Sequence, residues 1–472
     1  MLPDDVLLGI FDFCEDNHDR CNIGHVWDWH FLVHVCRRWR QVIFASPHHL
    51  NLKILCTNQT PVRKNLGIWP AFPIVVDYYT VHYESGGTPL NEDNIVAALD
   101  SKNLDRVCFV RLGVTGSQLK RIATVMQKPF PTLKYLHIVL EDEYASAPVL
   151  LDGFLGGSAP GLKKIVFSGV PYPALPTLLL SASGLVELDL HSIPPISYIS
   201  PEAIVTSLDA LPRLERFSIE FNSLTTSRSD RIYSPPITQS VLPALTSFRF
   251  RGLNEYLEDL VSRIDCPQLS AISLVYLNPP IDFLATRLVE FVDRSVGPRS
   301  TVFRRAYVVV CNRIATFTLY HAKYPSLDPC SHWPRFTRDS EAIHWQVTHM
   351  AQVLSRVSAT LSNVVHLELY KGPHHGCMDR VEWQRLLRQF SSVRTLKVGW
   401  ARGLAKRMAH TLEDLIEERV VELFPFLELI FLQGQPTSSI ENFVALRQLS
   451  GHFVTVVGSE EEFYNRLDSY IK

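Results

Sequence analysis

A short apolar pattern that recurs along most of the chain constrains the fold more than any other feature. An apolar residue stands at positions i, i+3 and i+5, often with a proline one or two places earlier. In an extended segment, i+3 and i+5 point to one side, whereas i+2, i+4 and i+6 point to the other. Such a strand buries one side and leaves the other accessible. The pattern occurs in the segments 103–112, 131–140, 160–169, 183–192, 212–221, 243–252, 267–276, 362–371, 391–400 and 425–434.

The spacing of these segments indicates repeated structural units. The first seven units begin 23 to 31 residues apart, and after a break the pattern returns from residue 362. This period is typical of leucine-rich repeats, in which each unit adds a strand and a helix or turn to a solenoid. We therefore expect an α/β fold, a leucine-rich-repeat solenoid over 103–439 with parallel strands on the concave face and helices on the convex face. An ordinary parallel α/β domain with chance periodicity is the alternative. The first apolar residues of the first units stand at positions 104, 133, 162, 185, 214, 245 and 269.

Several stretches depart from the repeat. Residues 51–102 look transitional between the N-terminal segment and the first regular unit. Residues 222–242 are rich in Ser, Thr and Pro, which predicts an inserted surface loop. A second insertion is expected at 321–341. Between the two insertions, residues 302–310 and 313–320 fit either a hairpin or a distorted repeat.

The last residues, 440–472, are expected to form a C-terminal cap. The pattern predicts a helix over 440–449, a strand over 452–457 and a helix over 460–471. A solenoid needs such a cap because an open end exposes apolar surface.

Amphipathic helices are predicted within residues 1–50. Segment 2–14 places Pro3 in the first turn and Asp4 and Asp5 at the positive end of the helix dipole. Segment 29–44 has apolar residues at helical spacing, so we expect one helix with a single apolar stripe. Short helices of this kind need a larger body or another chain to pack on. The stripe consists of Leu32, Val35, Cys36, Trp39, Val42 and Ile43.

Residues 2–14 and 31–54 together resemble an F-box, in particular the kind found in large fungal F-box families. The connection 15–30 is longer and more polar than the usual one. The positions that match the family pattern are Leu2-Pro3, Leu7, Ile10-Phe11, Leu32, Val35-Cys36, Arg38-Trp39, Ala45-Ser46-Pro47 and Leu50.

The resemblance implies that domain 1–50 docks on a Skp-type adaptor and through it joins a cullin-RING ubiquitin ligase. The alternative is that these helices only cap the first edge of the following domain. Some of the adaptor-binding candidates are expected to face the protein's own core; they are Leu2, Pro3, Leu7, Ile10, Phe11, Leu32, Val35, Cys36 and Trp39.

The concave face of the expected solenoid is the candidate target-binding surface. Its mixed charges and its aromatic side chains suit recognition of a protein or peptide. They do not suit the phosphate backbone of a nucleic acid, which binds surfaces that are predominantly positively charged. The candidates from strand alternation are Tyr135, His137, Lys164, Glu187, Asp189, Arg216, Arg249, Arg251, His366, Glu368, Lys397 and Phe431.

The sequence gives no sign of an enzyme. It contains no phosphate-cradling Gly-rich loop, no Gly-x-Ser-x-Gly and no His-Glu-x-x-His motif. Cys14, His18, Cys21 and His25 are the most tempting metal cluster, but no tight Cys-x-x-Cys pair occurs. We therefore expect no catalytic residue, no cofactor and no metal; a hydrolase or metalloenzyme within 278–342 is a minor alternative.

Charge and apolar runs bear on partners and location. A formal net charge of −2 provides no electrostatic case for nucleic acid or an anionic membrane. No apolar run is long enough to span a bilayer, and the nine scattered cysteines fit reduced thiols better than disulfides. We expect an intracellular protein of the cytoplasm, the nucleus or both.

These observations predict a non-catalytic substrate-recognition subunit of an SCF-type (Skp-cullin-F-box) ubiquitin ligase. The F-box would dock the adaptor, and the repeats would bind an unknown target protein. The alternative is a leucine-rich-repeat scaffold, outside any ligase, whose F-box-like helices are a structural cap.

Overall fold

The computed structural model divides into two compact units, each of which is α/β. The first comprises Met1–Ile199 with Ala210–Arg213, and the second comprises Ser200–Asp209 with Leu214–Lys472. The structure describes residues 2–16, 28–46, 53–57, 61–68, 72–79, 91–141, 148–221, 239–277, 286–295, 303–311, 314–321, 351–352, 354–371, 380–399, 424–432 and 438–471.

The first unit opens with three helices, α1 (Asp4–Asp16), α2 (Asp28–Val35) and α3 (Arg37–Ala45). The prediction of one helix across 29–44 is wrong. Cys36 has an extended backbone, with φ −160° and ψ 169°, and its Sγ accepts a hydrogen bond from the Trp39 amide. Cys36 thus ends one helix and caps the next, as a small polar N-cap residue does.

A parallel sheet follows the three helices. Its strands are β1 (Ile54–Cys56), β2 (Ile74–Tyr78), β3 (Val107–Val114), β4 (Tyr135–Leu140), β5 (Lys164–Ser168) and β6 (Glu187–Ile193). Each strand pairs in parallel with the next strand along the chain. The connections hold α4 (Val62–Ile68), α5 (Glu92–Ala98), α6 (Gly116–Val125), α7 (Leu175–Leu179) and the 3₁₀ turns Phe154–Gly157 and Pro195–Ser197.

The second unit has the same strand-and-helix character. Its helices are α8 (Pro201–Asp209), α9 (Asn254–Ser262), α10 (Thr286–Ser295), α11 (Ser358–Leu361), α12 (Arg380–Leu387), α13 (Ser438–Leu449) and α14 (Glu460–Ile471). Its strands are β7 (Arg216–Phe221), β8 (Ser240–Val241), β9 (Ser247–Gly252), β10 (Ile264–Asp265), β11 (Ala271–Leu277), β12 (Arg305–Cys311), β13 (Ile314–Tyr320), β14 (His366–Lys371), β15 (Thr395–Gly399), β16 (Leu429–Leu432) and β17 (Thr455–Val457).

The order of strands in this unit is β7, β9, β11, β13, β12, β14, β15, β16, β17, and β8 pairs separately with β10. Strand β13 runs antiparallel to both of its neighbours, β11 and β12. Of the two structures predicted for 302–320, the hairpin is therefore confirmed. Most of the predicted insertions at 222–242 and 321–341 lies outside the described residues, but Ser240–Val241 form a strand where we expected a loop.

The apolar pattern of the sequence forms the core of each unit. In the sequence repeat that contains β4, the residues Leu133, Leu136 and Ile138 are all buried, as predicted. The structure adds a further buried position, i−3, which is Phe130 in this unit. The amide of Leu133 donates to the carbonyl of Phe130 at 3.2 Å, which closes the turn before the strand. The same position is buried in other units as Ala159, Ala182, Leu211, Leu242, Cys266, Leu361, Phe390 and Phe424.

In the sequence repeat that contains β3, the predicted positions of the buried residues are wrong. Strand pairing places Phe109 beside Tyr135, so the buried set is Val107, Val110 and Leu112 rather than one beginning at Leu104. Leu104 stays partly exposed because the preceding turn is closed through Asn103, whose carbonyl accepts the amide of Val107 at 3.1 Å.

The predicted C-terminal elements are present as α13, β17 and α14. Strand β17 pairs in parallel with β16, and Val457 lies beside Phe431. Within the described part of the chain, none of the helices has the length and apolar character needed to cross a membrane.

Candidate interaction surfaces

The predicted adaptor-binding residues divide between the core and the surface of the three N-terminal helices. Leu7 and Phe11 on α1 are buried, 2% and 3% exposed, as are Val33 on α2 and Val42 and Ile43 on α3. Their assignment as contact residues is therefore corrected, because they hold the helices together. Leu32 and Trp39 are half-buried. The exposed ones are Leu2, Pro3, Ile10, Val35 and Cys36.

Trp39 belongs partly to the helical core. Its ring meets the ring of Phe11 edge-on, with the centroids 5.1 Å apart. The neighbouring Arg38 forms an ion pair of 2.6 Å with Asp4 and donates to the carbonyl of Leu2. These contacts fasten the start of α1 to α3, so Leu2 is held at the surface.

Two exposed apolar rows lie on the N-terminal helices. On α1, Val6 and Ile10 are 45% and 40% exposed, and on α2, Phe31 and Val35 are 71% and 57% exposed. Each pair has the i, i+4 spacing that places side chains together on a helix surface. Val6 and Phe31 are not among the predicted adaptor-binding residues, although their i, i+4 spacing to Ile10 and Val35 is visible in the sequence.

A polar and aromatic surface covers one face of the first unit's sheet, and we call it the first-unit sheet face. Strand alternation brings its side chains to the same side, as predicted for those on β4, β5 and β6. Register aligns Phe109, Tyr135, Lys164 and Glu187 in one row and Asp77, Arg111, His137, Val166 and Asp189 in the next.

A buried ion pair anchors this face. Arg111 donates through Nε to Asp77 Oδ1 at 3.1 Å and through Nη2 to Asp77 Oδ2 at 2.7 Å. The Asp77 side chain is 2% exposed and that of Arg111 is 14% exposed. A fork-to-fork pair of this kind fixes both side chains geometrically.

The aromatic part of the face lies beside this pair. The rings of Phe109 and Tyr135 stack with centroids 4.1 Å apart and an angle of 1°. Lys164 Nζ lies 5.5 Å from the centre of the Tyr135 ring and 2.7 Å from Glu187 Oε1. The stacked rings and the charged pair therefore form one surface of mixed chemistry.

His137 lies in the middle of the first-unit sheet face. Its Nδ1 is 3.4 Å from the hydroxyl of Tyr135, and its ring is 5.3 Å from the ring of Tyr79. Burial, followed by the positive charges of Arg111 and Lys164, lowers the pKa of His137 from 6.5 to about 4. The imidazole is therefore neutral at pH 7.

The predicted first-unit residues Tyr135, His137, Lys164, Glu187 and Asp189 are thus brought together and keep partial exposure. His191 joins them, with Nε2 at 2.8 Å from Asp189 Oδ1. Three further residues were missed: Phe109 and Arg111, because the predicted register of β3 was displaced, and Asp77, which lies on β2.

In the second unit, the predicted target-binding residues have different surroundings. Arg216 on β7 is exposed, and Arg249 and Arg251 on the neighbouring strand β9 are half-buried. In contrast, His366, Glu368, Lys397 and Phe431 are buried, between 0% and 7% exposed. Their assignment to an open concave face is therefore corrected.

Helix α14 lies over three of these residues, His366, Lys397 and Phe431. Its Phe463 ring lies 5.7 Å from the His366 ring and 5.3 Å from the Phe431 ring. Lys397 Nζ donates to Glu460 Oε1 at 2.6 Å and lies 2.6 Å from the hydroxyl of Tyr464.

Below α14 the sheet carries a connected polar network. His366 Nδ1 is 2.7 Å from Thr395 Oγ1, and its Nε2 is 3.1 Å from Glu368 Oε1. The hydroxyl of Tyr320 donates to the same Glu368 oxygen at 3.3 Å. Burial lowers the pKa of Lys397, but its bonds to Glu460 and Tyr464 outweigh burial, so the pKa lies above its ordinary value. Lys397 is therefore charged at pH 7.

Among the described residues, no group of three His, Cys, Asp or Glu side chains is placed to hold a metal ion. Of the cluster weighed from sequence, His18, Cys21 and His25 lie outside the described residues, and the Cys14 side chain does too.

A scan against protein-family models and a search of curated proteins each found no match.

Proposed function

We propose that the chain is the substrate-recognition subunit of an SCF-type ubiquitin ligase. The observation that carries the proposal is the pair of exposed apolar rows, Val6 with Ile10 and Phe31 with Val35. These four side chains stay exposed although the same helices have a closed core of their own. Grouped exposed apolar residues mark protein interaction sites.

The rows support adaptor binding because they lie within the segments that resemble an F-box, 2–14 and 31–54. On this proposal a Skp-type adaptor covers the rows and connects the chain to a cullin-RING ligase. Transfer of ubiquitin then belongs to other subunits, and this chain needs no cofactor. The role places the chain inside the cell, in the cytoplasm, the nucleus or both.

The remaining surface of the first unit offers a place for the target. The first-unit sheet face combines stacked rings, Lys164 with Glu187, and a neutral His137. Aromatic side chains beside paired charges suit a protein segment, since interfaces are enriched in Tyr and Phe. We therefore assign target binding to this face rather than to the residues beneath α14.

The test of adaptor binding is co-purification of the full chain with a Skp-type adaptor. The variant Ile10→Asp/Val35→Asp places two charges in the apolar rows, and we expect it to weaken binding by about tenfold or more. Leu151→Asp is the matched control, because Leu151 is 65% exposed in the same unit but outside the helices. Circular dichroism verifies that each variant is folded.

A folded parent chain that does not bind the adaptor contradicts the proposal. That result favours the alternative, a scaffold whose N-terminal helices only cap the sheet. Equal loss of binding in the Leu151→Asp control would show that added charge alone, and not the apolar rows, accounts for the effect.

A further inference from the structure

The part of the second unit's sheet under α14 forms a seat with distinct chemistry. We define the α14 seat as His366, Glu368, Thr395, Lys397 and Phe431, which register places in adjacent positions on β14, β15 and β16. Four of the five are polar, and all five are buried. An ordinary terminal cap covers apolar surface, whereas this seat has an ionised lysine at its centre.

Helix α14 fits the seat through one face of the helix. Glu460, Phe463, Tyr464 and Leu467 stand at i, i+3, i+4 and i+7, which share one side of a helix. The carboxylate and the phenol meet Lys397, and the Tyr464 ring lies 4.7 Å below the ammonium group. Phe463 and Leu467 are buried in a cluster with Phe431 and Val457. The contacts are thus directional and specific to a helix.

The polar groups of the seat have partners within the sheet as well. His366 contacts Thr395 and Glu368, and Tyr320 donates to Glu368. Lys397 Nζ lies 4.0 Å from Glu368 Oε2. Departure of α14 would therefore take two contacts from Lys397 and leave the other polar bonds in place. The face also carries apolar side chains, since Val365, Leu429, Phe431 and Val457 are buried in one cluster with Phe463 and Leu467, so it requires a helix to cover it.

The attachment of α14 is also limited. The helix follows β17, a strand of three residues at the end of the strand order, and only residues 458 and 459 separate them. The other side of the helix is open, since Glu461, Glu462 and Arg466 are exposed. Among the side chains of α14 that the structure describes, the buried apolar ones are Phe463 and Leu467.

We propose that the α14 seat is a binding site for an amphipathic helix of a partner protein, and that α14 fills it within the same chain when the partner is absent. The partner helix carries an acidic residue at i, aromatic residues at i+3 and i+4, and leucine at i+7. Lys397 selects the acidic residue and the phenol, while the space between His366 and Phe431 selects the first aromatic ring. The site is separate from the helical rows of the N-terminus and does not depend on adaptor binding.

The test uses the full chain and a fluorescein-labelled peptide of residues 459–472. In the parent, α14 competes at high effective concentration, so the peptide binds weakly. The variant Phe463→Ala/Leu467→Ala weakens the internal helix, and we expect it to bind the peptide at least about tenfold more tightly than the parent. Leu449→Ala/Phe453→Ala is the matched control, because these residues are exposed outside the seat, and it should behave as the parent does.

Specificity is tested at Lys397 in the same background. Adding Lys397→Met should weaken peptide binding by about tenfold, because the ammonium loses its carboxylate and phenol partners. A peptide with alanine in place of Phe463 and Leu467 should not bind. Retained affinity in either case overturns the proposed recognition.

A folded double variant that does not bind the peptide also overturns the proposal and makes α14 a fixed part of the fold. If the double variant does not fold, hydrogen exchange on the parent decides. Local release of α14 predicts that its amides exchange about a hundredfold faster than those of β14 and β15. Equal rates contradict release, and a dimer formed by exchange of α14 would assign the seat to a second copy instead.

Discussion

Among single residues, those that carry a buried charge are the most sensitive to substitution. Asp77 is buried and is held by both donor groups of Arg111. Removing one member of a buried pair leaves an uncompensated charge, which costs far more than replacing both members by apolar groups.

We predict that Arg111→Met lowers the free energy of unfolding by about 3 to 5 kcal/mol, because the Asp77 carboxylate stays buried without its guanidinium. The double variant Asp77→Leu/Arg111→Met should recover most of that loss. Urea denaturation of the parent, both single variants and the double variant measures the coupling. Additive single and double effects would contradict a direct interaction.

His137 predicts a dependence of stability on pH. Its pKa is about 4 in the folded chain and 6.5 in the unfolded chain, so between these values the unfolded chain binds the extra proton. Stability therefore falls as the pH is lowered from about 6.5 to 4, by up to about 1.4 kcal/mol per pH unit. His137→Gln should remove this part of the slope in urea denaturation at pH 7 and pH 5. Equal slopes in the parent and the variant would show that His137 does not carry it.

At the scale of elements, the break at Cys36 shows how a local contact can override a periodic pattern. The apolar spacing of 29–44 continues through Cys36, and the spacing alone predicts one helix. The structure turns the chain there because Sγ accepts the Trp39 amide at 3.5 Å. Cysteine is a weak acceptor and is not among the preferred N-caps, so composition did not reveal the break.

This cap gives a matched pair of substitutions. Cys36→Ala removes the acceptor and should lower the free energy of unfolding by about 0.5 to 1 kcal/mol, whereas Cys36→Ser supplies a better cap and should preserve or raise it. Thermal unfolding followed by circular dichroism at 222 nm ranks the parent and the two variants. The same midpoint for alanine and serine would mean that the cap contributes nothing.

The turn before each strand contains a buried position that the strand pattern does not predict. The i, i+3 and i+5 positions were predictable because buried and partly exposed residues alternate strictly in strands such as β4 and β9. The buried i−3 position was not, since its residue varies from Ala182 to Phe424 and it lies outside the strand. It belongs to the turn that closes each unit, and turns carry no two-residue period.

We predict that Leu242, at the i−3 position before Leu245, is as important as a strand residue. Leu242→Ala should lower the free energy of unfolding by about 2 to 5 kcal/mol, because it leaves a cavity. Leu449→Ala is the control, since Leu449 is 84% exposed and its truncation should change stability by less than about 0.5 kcal/mol. Similar losses at both positions, measured by urea denaturation, would contradict the role of the turn.

At the scale of the whole molecule, strand order was easier to predict than the covering of surfaces. The alternation of residues within β14 and β15 determines which side of each strand carries the polar side chains, and this alternation is visible in the sequence. Whether a distant helix then lies on that row depends on contacts such as Lys397 with Glu460, which join residues far apart in the chain. No periodic pattern encodes a contact of that kind, so His366 and Glu368 were expected to be open.

The exposed apolar rows predict how the isolated chain behaves in solution. Phe31→Asp/Val35→Asp should reduce self-association without lowering stability, because both side chains are exposed in the chain alone. Dynamic light scattering of the parent and the variant at increasing concentration tests this. A parent that remains monodisperse at high concentration would contradict a sticky, partner-facing surface.

Strand β13 creates a competition during folding. Ala271 of β11 and Arg305 of β12 both lie opposite Tyr320 of β13. Strands β11 and β12 are therefore parallel and in the same register, as direct neighbours would be. If β11 and β12 met first, they would pair directly with each other and exclude β13 from the sheet. That non-native pairing would be a kinetic trap. The β12–β13 hairpin avoids this outcome, since hairpins form within about 1 to 10 μs, before pairing between distant strands.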